Sequence, residues 1–185
     1  MSDEDDHYYG LGYVTEEVEF QEGITHIGSE VMCDQWNNDP LKTVQLPSTL
    51  VSIGDYAFCG QSNVTEVTLP VSLQKIGVDA FNGAGLTDVY YFSWKTQWDT
   101  IEINEGNDSL TDATLHTLDT AIVENIVEAT CLEDGSYDAV IYDKQNAELY
   151  RTSISVEALG HDYGEPMYTW SEDNTSVTAT AVCSR

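Results

Sequence analysis

An internal repeat runs through residues 18–91 and limits what this chain can fold into. Val44, Leu46, Pro47, Leu50, Ile53, Gly54, Ala57 and Phe58 recur, 23 residues on, as Val67, Leu69, Pro70, Leu73, Ile76, Gly77, Ala80 and Phe81. A looser copy precedes them, with Val18, Phe20, Ile24, Ile27, Gly28, Val31 and Met32. A partial copy follows at Leu86, Val89 and Tyr91. Apolar positions recurring every twenty-odd residues predict stacked windings, each unable to bury its own apolar side without a neighbour. The expected fold class is a leucine-rich-repeat solenoid, a short parallel β-sheet with tight turns, followed by a small all-β domain.

Within each winding the alternation predicts a short strand. Val18, Val44, Val67 and Val89 point inward, as do Phe20, Leu46, Leu69 and Tyr91. The proline after the strand (Pro47, Pro70) cannot donate to a ladder and so ends it. Ile24, Leu50 and Leu73 then return to the core. The glycine of Ile-Gly is expected where the backbone turns tightly or takes positive φ. The Ala-Phe pair carries an aromatic inward. The inserted Asp34–Pro40 lengthens the first winding, and Trp36 on it is expected to fold back over the solenoid's open end. After Tyr91, Trp94, Trp98, Ile101 and Ile103 read as a closing layer, as solenoid ends require.

Domain boundaries follow from these patterns: an acidic, mobile lead at 1–13, the solenoid with its C-terminal capping segment at 14–120, and a small β module at 121–185 that reads as truncated. In that module Val123, Ile126 and Val127, the alternation Tyr137-Ala139-Ile141, the pair Ile154 and Val156, and Val177–Val182 read as strands. Asp134-Gly135 and Lys144-Gln145-Asn146 read as hairpin turns, and the whole as a sandwich-like unit.

The pattern Leu-x-x-Val-x-Leu-Pro-x-x-Leu-x-x-Ile-Gly-x-x-Ala-Phe resembles the BspA-type (Treponema-pallidum-type) leucine-rich repeats of bacterial surface proteins. Tyr90-Tyr91, Gln97-Trp98, Gly106-Asn107-Asp108, Leu110, Ala113-Thr114 and His116 are similar to the segment that closes such arrays, so the resemblance spans about 14–118. The Ala129-Thr130-Cys131 and Ala158-Leu159-Gly160-His161-x-Tyr163 motifs resemble modules found in tandem on gut-bacterial surface proteins, which often carry a Cys-x-x-Cys-Gly. Here Asp143–Asn146 stands at that place without a cysteine. The resemblance implies a cell-surface or secreted location, with signal peptide and anchor outside this chain, and a binding or adhesive role.

The chain has 33 acidic and 6 basic residues, a formal net charge of −27. That excess argues against nucleic acid and against anionic membrane surfaces, both of which need a positive footprint. No stretch approaches the roughly 20 apolar residues of a membrane helix, and the acidic Met1–His7 does not read as a signal peptide. No nucleophile or zinc-protease motif surrounds His7, His26, His116 or His161. His161 reads as a boundary histidine making a hydrogen bond. The carboxylate pairs Glu16-Glu17 and Glu172-Asp173 are what a strongly acidic chain produces by chance. No cofactor, no metal ligand set and no enzymatic activity are expected, and Asn104–Asp108, though rich in oxygens, reads as a turn. Cys33 and Cys59 occupy the same place in consecutive repeats, within a disulfide's reach, but the preferred reading is two buried thiols serving as apolar fillers. Pairing of Cys131 with Cys183 is left open.

One surface is built by repetition itself. Glu17, Thr43, Glu66 and Asp88 should align on the outer face of the sheet, with Glu19, Gln45, Thr68 and Tyr90 beside them, as rows at about 4.8 Å spacing. A host or microbial surface protein or a glycan is the expected partner for this face. The alternative is a non-catalytic accessory or spacer module of a larger extracellular enzyme.

Overall fold

A computed structural model describes residues 15–33 and 40–184. The acidic lead and the Trp36 insertion therefore lie outside the described residues. The chain divides into two compact units, the first ending at Ala121 and the second beginning at Ile122.

The first unit is a solenoid of four windings plus a fifth outer strand. One ladder is formed by β1 (Glu17–Glu19), β3 (Thr43–Gln45), β5 (Glu66–Leu69), β7 (Asp88–Tyr91) and β9 (Thr114–His116). The other is formed by the two-residue strands β2 (His26–Ile27), β4 (Ser52–Ile53), β6 (Lys75–Ile76) and β8 (Glu102–Ile103), paired in that order. All pairings are parallel, with Val18 opposite Val44, Val67 opposite Val89, Ile27 opposite Ile53 and Ile53 opposite Ile76. β3 packs beside β5, joining the two parts of the first ladder.

Between the ladders lies one continuous core. Val67, Val89, Leu50, Leu73, Ile53, Ile76, Ala57, Ala80, Phe58 and Phe81 are buried in it. Phe58 stacks on Phe81 with ring centroids 5.4 Å apart and meets Phe20 edge-on at 6.0 Å. The first winding is thinner. Ile24, expected in the core with Leu50 and Leu73, is 36 % exposed, as is Val31 at 38 %.

The repeated glycine has a different cause from the one expected. Gly54 and Gly77 do not adopt positive φ; that conformation falls two residues later, on Tyr56 and Asp79. Instead the windings touch at the glycines. A Cβ on Gly54 would stand 2.6 Å from the carbonyl carbon of Gly28, and one on Gly77 2.6 Å from that of Gly54. Close approach, rather than turn geometry, requires glycine at these points.

The backbone between windings is tied the same way at each step. Met32 N–H donates to Ala57 O, and Phe58 N–H to Ala80 O at 2.7 Å. Phe81 has no further repeat to receive its N–H. Asn107 takes over: buried in the turn after β8, it accepts from Phe81 N–H through Oδ1 at 2.9 Å. Its Nδ2 donates to Gly77 O and Asn104 O, both at 2.8 Å. The Asn104–Asp108 turn is thus a backbone cap for the array.

The closing layer comes partly as expected. Trp98, in the one-turn helix α1 (Lys95–Trp98), packs on the core and meets Tyr91 edge-on at 5.6 Å. Trp94 stays 40 % exposed. Cys33 and Cys59 are joined as a disulfide, with Cα atoms 4.5 Å apart, which overturns the reading of two filler thiols.

The second unit is all β. β10 (Ile122–Val127), β11 (Gly135–Tyr142) and β12 (Glu148–Val156) form an antiparallel meander. β13 (Met167–Trp170) and β14 (Val177–Thr180) form a separate hairpin. The Lys144–Asn146 turn closes β11 onto β12, with Asp143 Oδ1 accepting from the Gln145 and Ala147 N–H groups. Asp134-Gly135 is not a two-residue turn; it ends a longer loop, and Gly135 already lies in β11. Residues of β13 and β14 are exposed on both faces, so the sandwich expected here does not form.

Candidate functional site

The outer face of the first ladder carries the polar rows that the repeat predicts. Main-chain register sets Glu17 opposite Thr43 and Glu19 opposite Gln45. Glu66 stands opposite Asp88, and Thr68 opposite Tyr90. Glu17, Thr43, Glu66, Glu19, Gln45 and Thr68 are all exposed. Among the described residues, Glu17, Glu19 and Glu66 make no ion pair. Lysines are scarce and spent elsewhere, Lys42 on Glu16 at 2.9 Å and Lys75 on Glu102 at 2.7 Å, each linking neighbouring windings.

The rows stop short of their predicted length. Asp88 is only 8 % exposed and Tyr90 2 %. β9 adds a strand beyond β7 and sets His116 opposite Tyr90. The imidazole stacks on the Tyr90 ring, centroids 4.7 Å apart, and its Nε2 meets Asp88 Oδ1 at 2.8 Å. Asp88 Oδ2 accepts from the Thr87 hydroxyl at 2.8 Å. Two like charges directly opposite on one sheet face repel, and the Glu66–Asp88 pair would be such a case. His116 and Thr87 supply Asp88 with partners, so it serves the fold and not the exposed surface. The available face is therefore the six residues on β1, β3 and β5.

His116 was not legible as part of this face. Thr114-Leu115-His116 lacks the Leu-Pro and Ile-Gly landmarks of the repeat, and only the pairing of β9 with β7 brings it there.

Away from the solenoid, Arg151 holds three carboxylates in the meander: Glu124 at 3.0 Å, Asp138 at 3.1 Å and Glu148 at 2.7 Å. Glu124 is held below the usual carboxylate range, first by the Tyr142 hydroxyl and then by Arg151. Asp138 is lowered chiefly by hydrogen bonds from Ser153 and Asn125. This network lies on strand surfaces and joins β10, β11 and β12. His161, read as a boundary histidine, stacks on Tyr163 with centroids 4.8 Å apart and lies beside Cys131 and Cys183.

A family model for the BspA type leucine-rich repeat region matches residues 8–102 and 33–134, with six copies. The chain belongs to the BspA-type leucine-rich-repeat family. BspA-type repeats are associated with surface and adhesive proteins, and repeat solenoids of this kind are typically non-catalytic interaction domains. The match takes in every strand of the solenoid and all of β10. No curated protein and no solved structure matches the chain. No described helix is long and apolar enough to cross a membrane.

Proposed function

We propose that this BspA-type chain is a non-enzymatic binding module of a surface or secreted bacterial protein, and that the sheet face of its solenoid recognises a host or microbial surface protein or a glycan. The observation that carries this reading is the exposed block Glu17-Thr43-Glu66 and Glu19-Gln45-Thr68. Among the described residues the carboxylates there have no basic partner, and ladder pairing fixes the backbone of β1 against β3 and of β5 against β7. Rigid rows of acceptors at strand spacing suit a ligand that presents amines, guanidinium groups or hydroxyls at a similar repeat. The Cys33–Cys59 disulfide supports an oxidising location, where such bonds persist.

The test is a screen of immobilised extracellular proteins and glycans, followed by charge reversal of Glu17 and Glu66 to lysine. Binding should weaken by about tenfold or more and become less sensitive to salt, while the far-ultraviolet spectrum is retained. Unchanged affinity in the Glu17→Lys/Glu66→Lys variant would remove the face from consideration.

A further inference from the structure

Three side chains that no local motif connects converge in the second unit. Cys131 lies in the loop between β10 and β11, His161 before β13, and Cys183 after β14. The Sγ atoms of the two cysteines and a ring nitrogen of His161 all lie within 4.8 Å of one another. The two sulfurs are 3.4 Å apart, well beyond the roughly 2.05 Å of a disulfide bond. Ligand atoms around a tetrahedral zinc, with Zn–S about 2.3 Å and Zn–N about 2.0–2.1 Å, stand roughly 3.5–3.8 Å from one another.

Each ligand is held by the surrounding backbone. Thr130 N–H donates to Glu133 O, and the Thr130 hydroxyl accepts from the N–H groups of Leu132 and Glu133, which fixes the turn carrying Cys131. Leu159 N–H donates to Thr130 O at 2.8 Å and brings the His161 segment alongside. Tyr163 pairs with Cys183 as an isolated antiparallel bridge, and Ser184 N–H donates to Asp162 O at 2.9 Å. Stacking on Tyr163 sets the imidazole plane.

The fold has a use for a link at this point. Among the described residues, the buried apolar side chains of this unit are Ala139, Val140 and Ile141, all on β11. The β13–β14 hairpin leaves Met167, Tyr168, Trp170 and Val177 exposed, and a lone two-stranded hairpin is marginal in water. Two of the three converging residues stand at the base of that hairpin, and the third belongs to the meander's loop.

The geometry points to a zinc site formed by Cys131, His161 and Cys183, which staples the hairpin to the meander. Two thiolates and an imidazole select a borderline-soft cation such as Zn²⁺ over the calcium or magnesium that the acidic surface attracts. Three protein ligands leave one tetrahedral position for water at this partly exposed place.

The protein, purified without reductant from zinc-supplemented medium, should contain one zinc per chain by elemental analysis. Exchange of that zinc for Co²⁺ in the presence of excess Ca²⁺ and Mg²⁺ should give thiolate-to-cobalt charge-transfer absorption, which carboxylates cannot produce. Cys131→Ser and Cys183→Ser should lower zinc affinity by more than the roughly 10–100-fold that loss of an outer-shell partner costs. The Cys33→Ala/Cys59→Ala variant should keep both zinc and the cobalt spectrum. A Cys131–Cys183 disulfide in that zinc-grown protein, the absence of zinc, or cobalt spectra indifferent to Cys131→Ser and Cys183→Ser would overturn the assignment.

Discussion

The solenoid and the C-terminal unit are both made of short strands, yet they are held together in opposite ways. In the solenoid neighbouring windings lend one another equivalent residues, so Phe58 stacks on Phe81 in an aromatic column that Phe20 meets edge-on, and Ile27, Ile53 and Ile76 form one aliphatic ladder. In the C-terminal unit, among the described residues, a single strand, β11, supplies the buried apolar side chains. Polar ties do the rest there: Arg151 with its three carboxylates, Tyr142 on Glu124 at 2.7 Å, and the Asp143 turn. Repetition builds a core without long-range planning in sequence. A short non-repeating β unit must find its cohesion in specific polar contacts, which are sensitive to pH and to single substitutions.

That contrast can be broken or sharpened by mutation. Phe58→Ala removes the ring of the column that both Phe81 and Phe20 meet. It should cost about 3–5 kcal/mol, read as a fall in the denaturation midpoint of the solenoid transition; a cost below about 1 kcal/mol would mean that the column is not shared. Replacing both Cys33 and Cys59 by alanine opens a link across 26 residues of sequence, worth about 3.5 kcal/mol on chain-entropy grounds. Chemical denaturation with and without reductant should show that difference in the native protein and not in the double variant.

Asn107→Ala should cost about 1–3 kcal/mol, the penalty of a buried N–H left without its acceptor. The loss should be local, with Phe81 and its neighbours exchanging amide hydrogen faster than Phe58. Smallest, and confined to the meander, is the response to acid. Glu124 and Asp138 lie below the usual carboxylate range when folded. Their contribution is therefore complete above about pH 5 and fades as pH falls through the lowered folded values. Tyr142→Phe removes the leading cause for Glu124, so the folded carboxyl should titrate at higher pH and the meander's acid-dependent loss of stability should shrink, while solenoid resonances stay put. An identical acid response in both units would count against the contrast.

What the sequence discloses follows the same division. The periodic valines, the Ile-Gly step and the Ala-Phe pair predict the windings, and the structure builds them in that register. The outward rows were legible on β1, β3 and β5. They were misread at Asp88 and Tyr90, since the cover comes from His116 on a strand with no repeat signature. The glycines were correctly marked as necessary, but for turn geometry, when contact with the preceding winding decides. Asn107 gives no sign in sequence that its amide replaces a missing repeat. Cys131, His161 and Cys183 are far apart along the chain; the hydrogen bonds between Leu159 and Thr130 and between Asp162 and Ser184, with the Tyr163–Cys183 bridge, make them neighbours.

Native-state hydrogen exchange, followed residue by residue, tests most directly whether each winding is sheltered by the next. Amides linking one winding to another, at Gly54, Phe58, Gly77 and Phe81, should exchange only through global opening of the solenoid and share one free energy. Exchange of Phe58 or Gly77 at the rate of exposed loop amides, with the solenoid otherwise folded, would contradict the stacked architecture and the binding face built upon it.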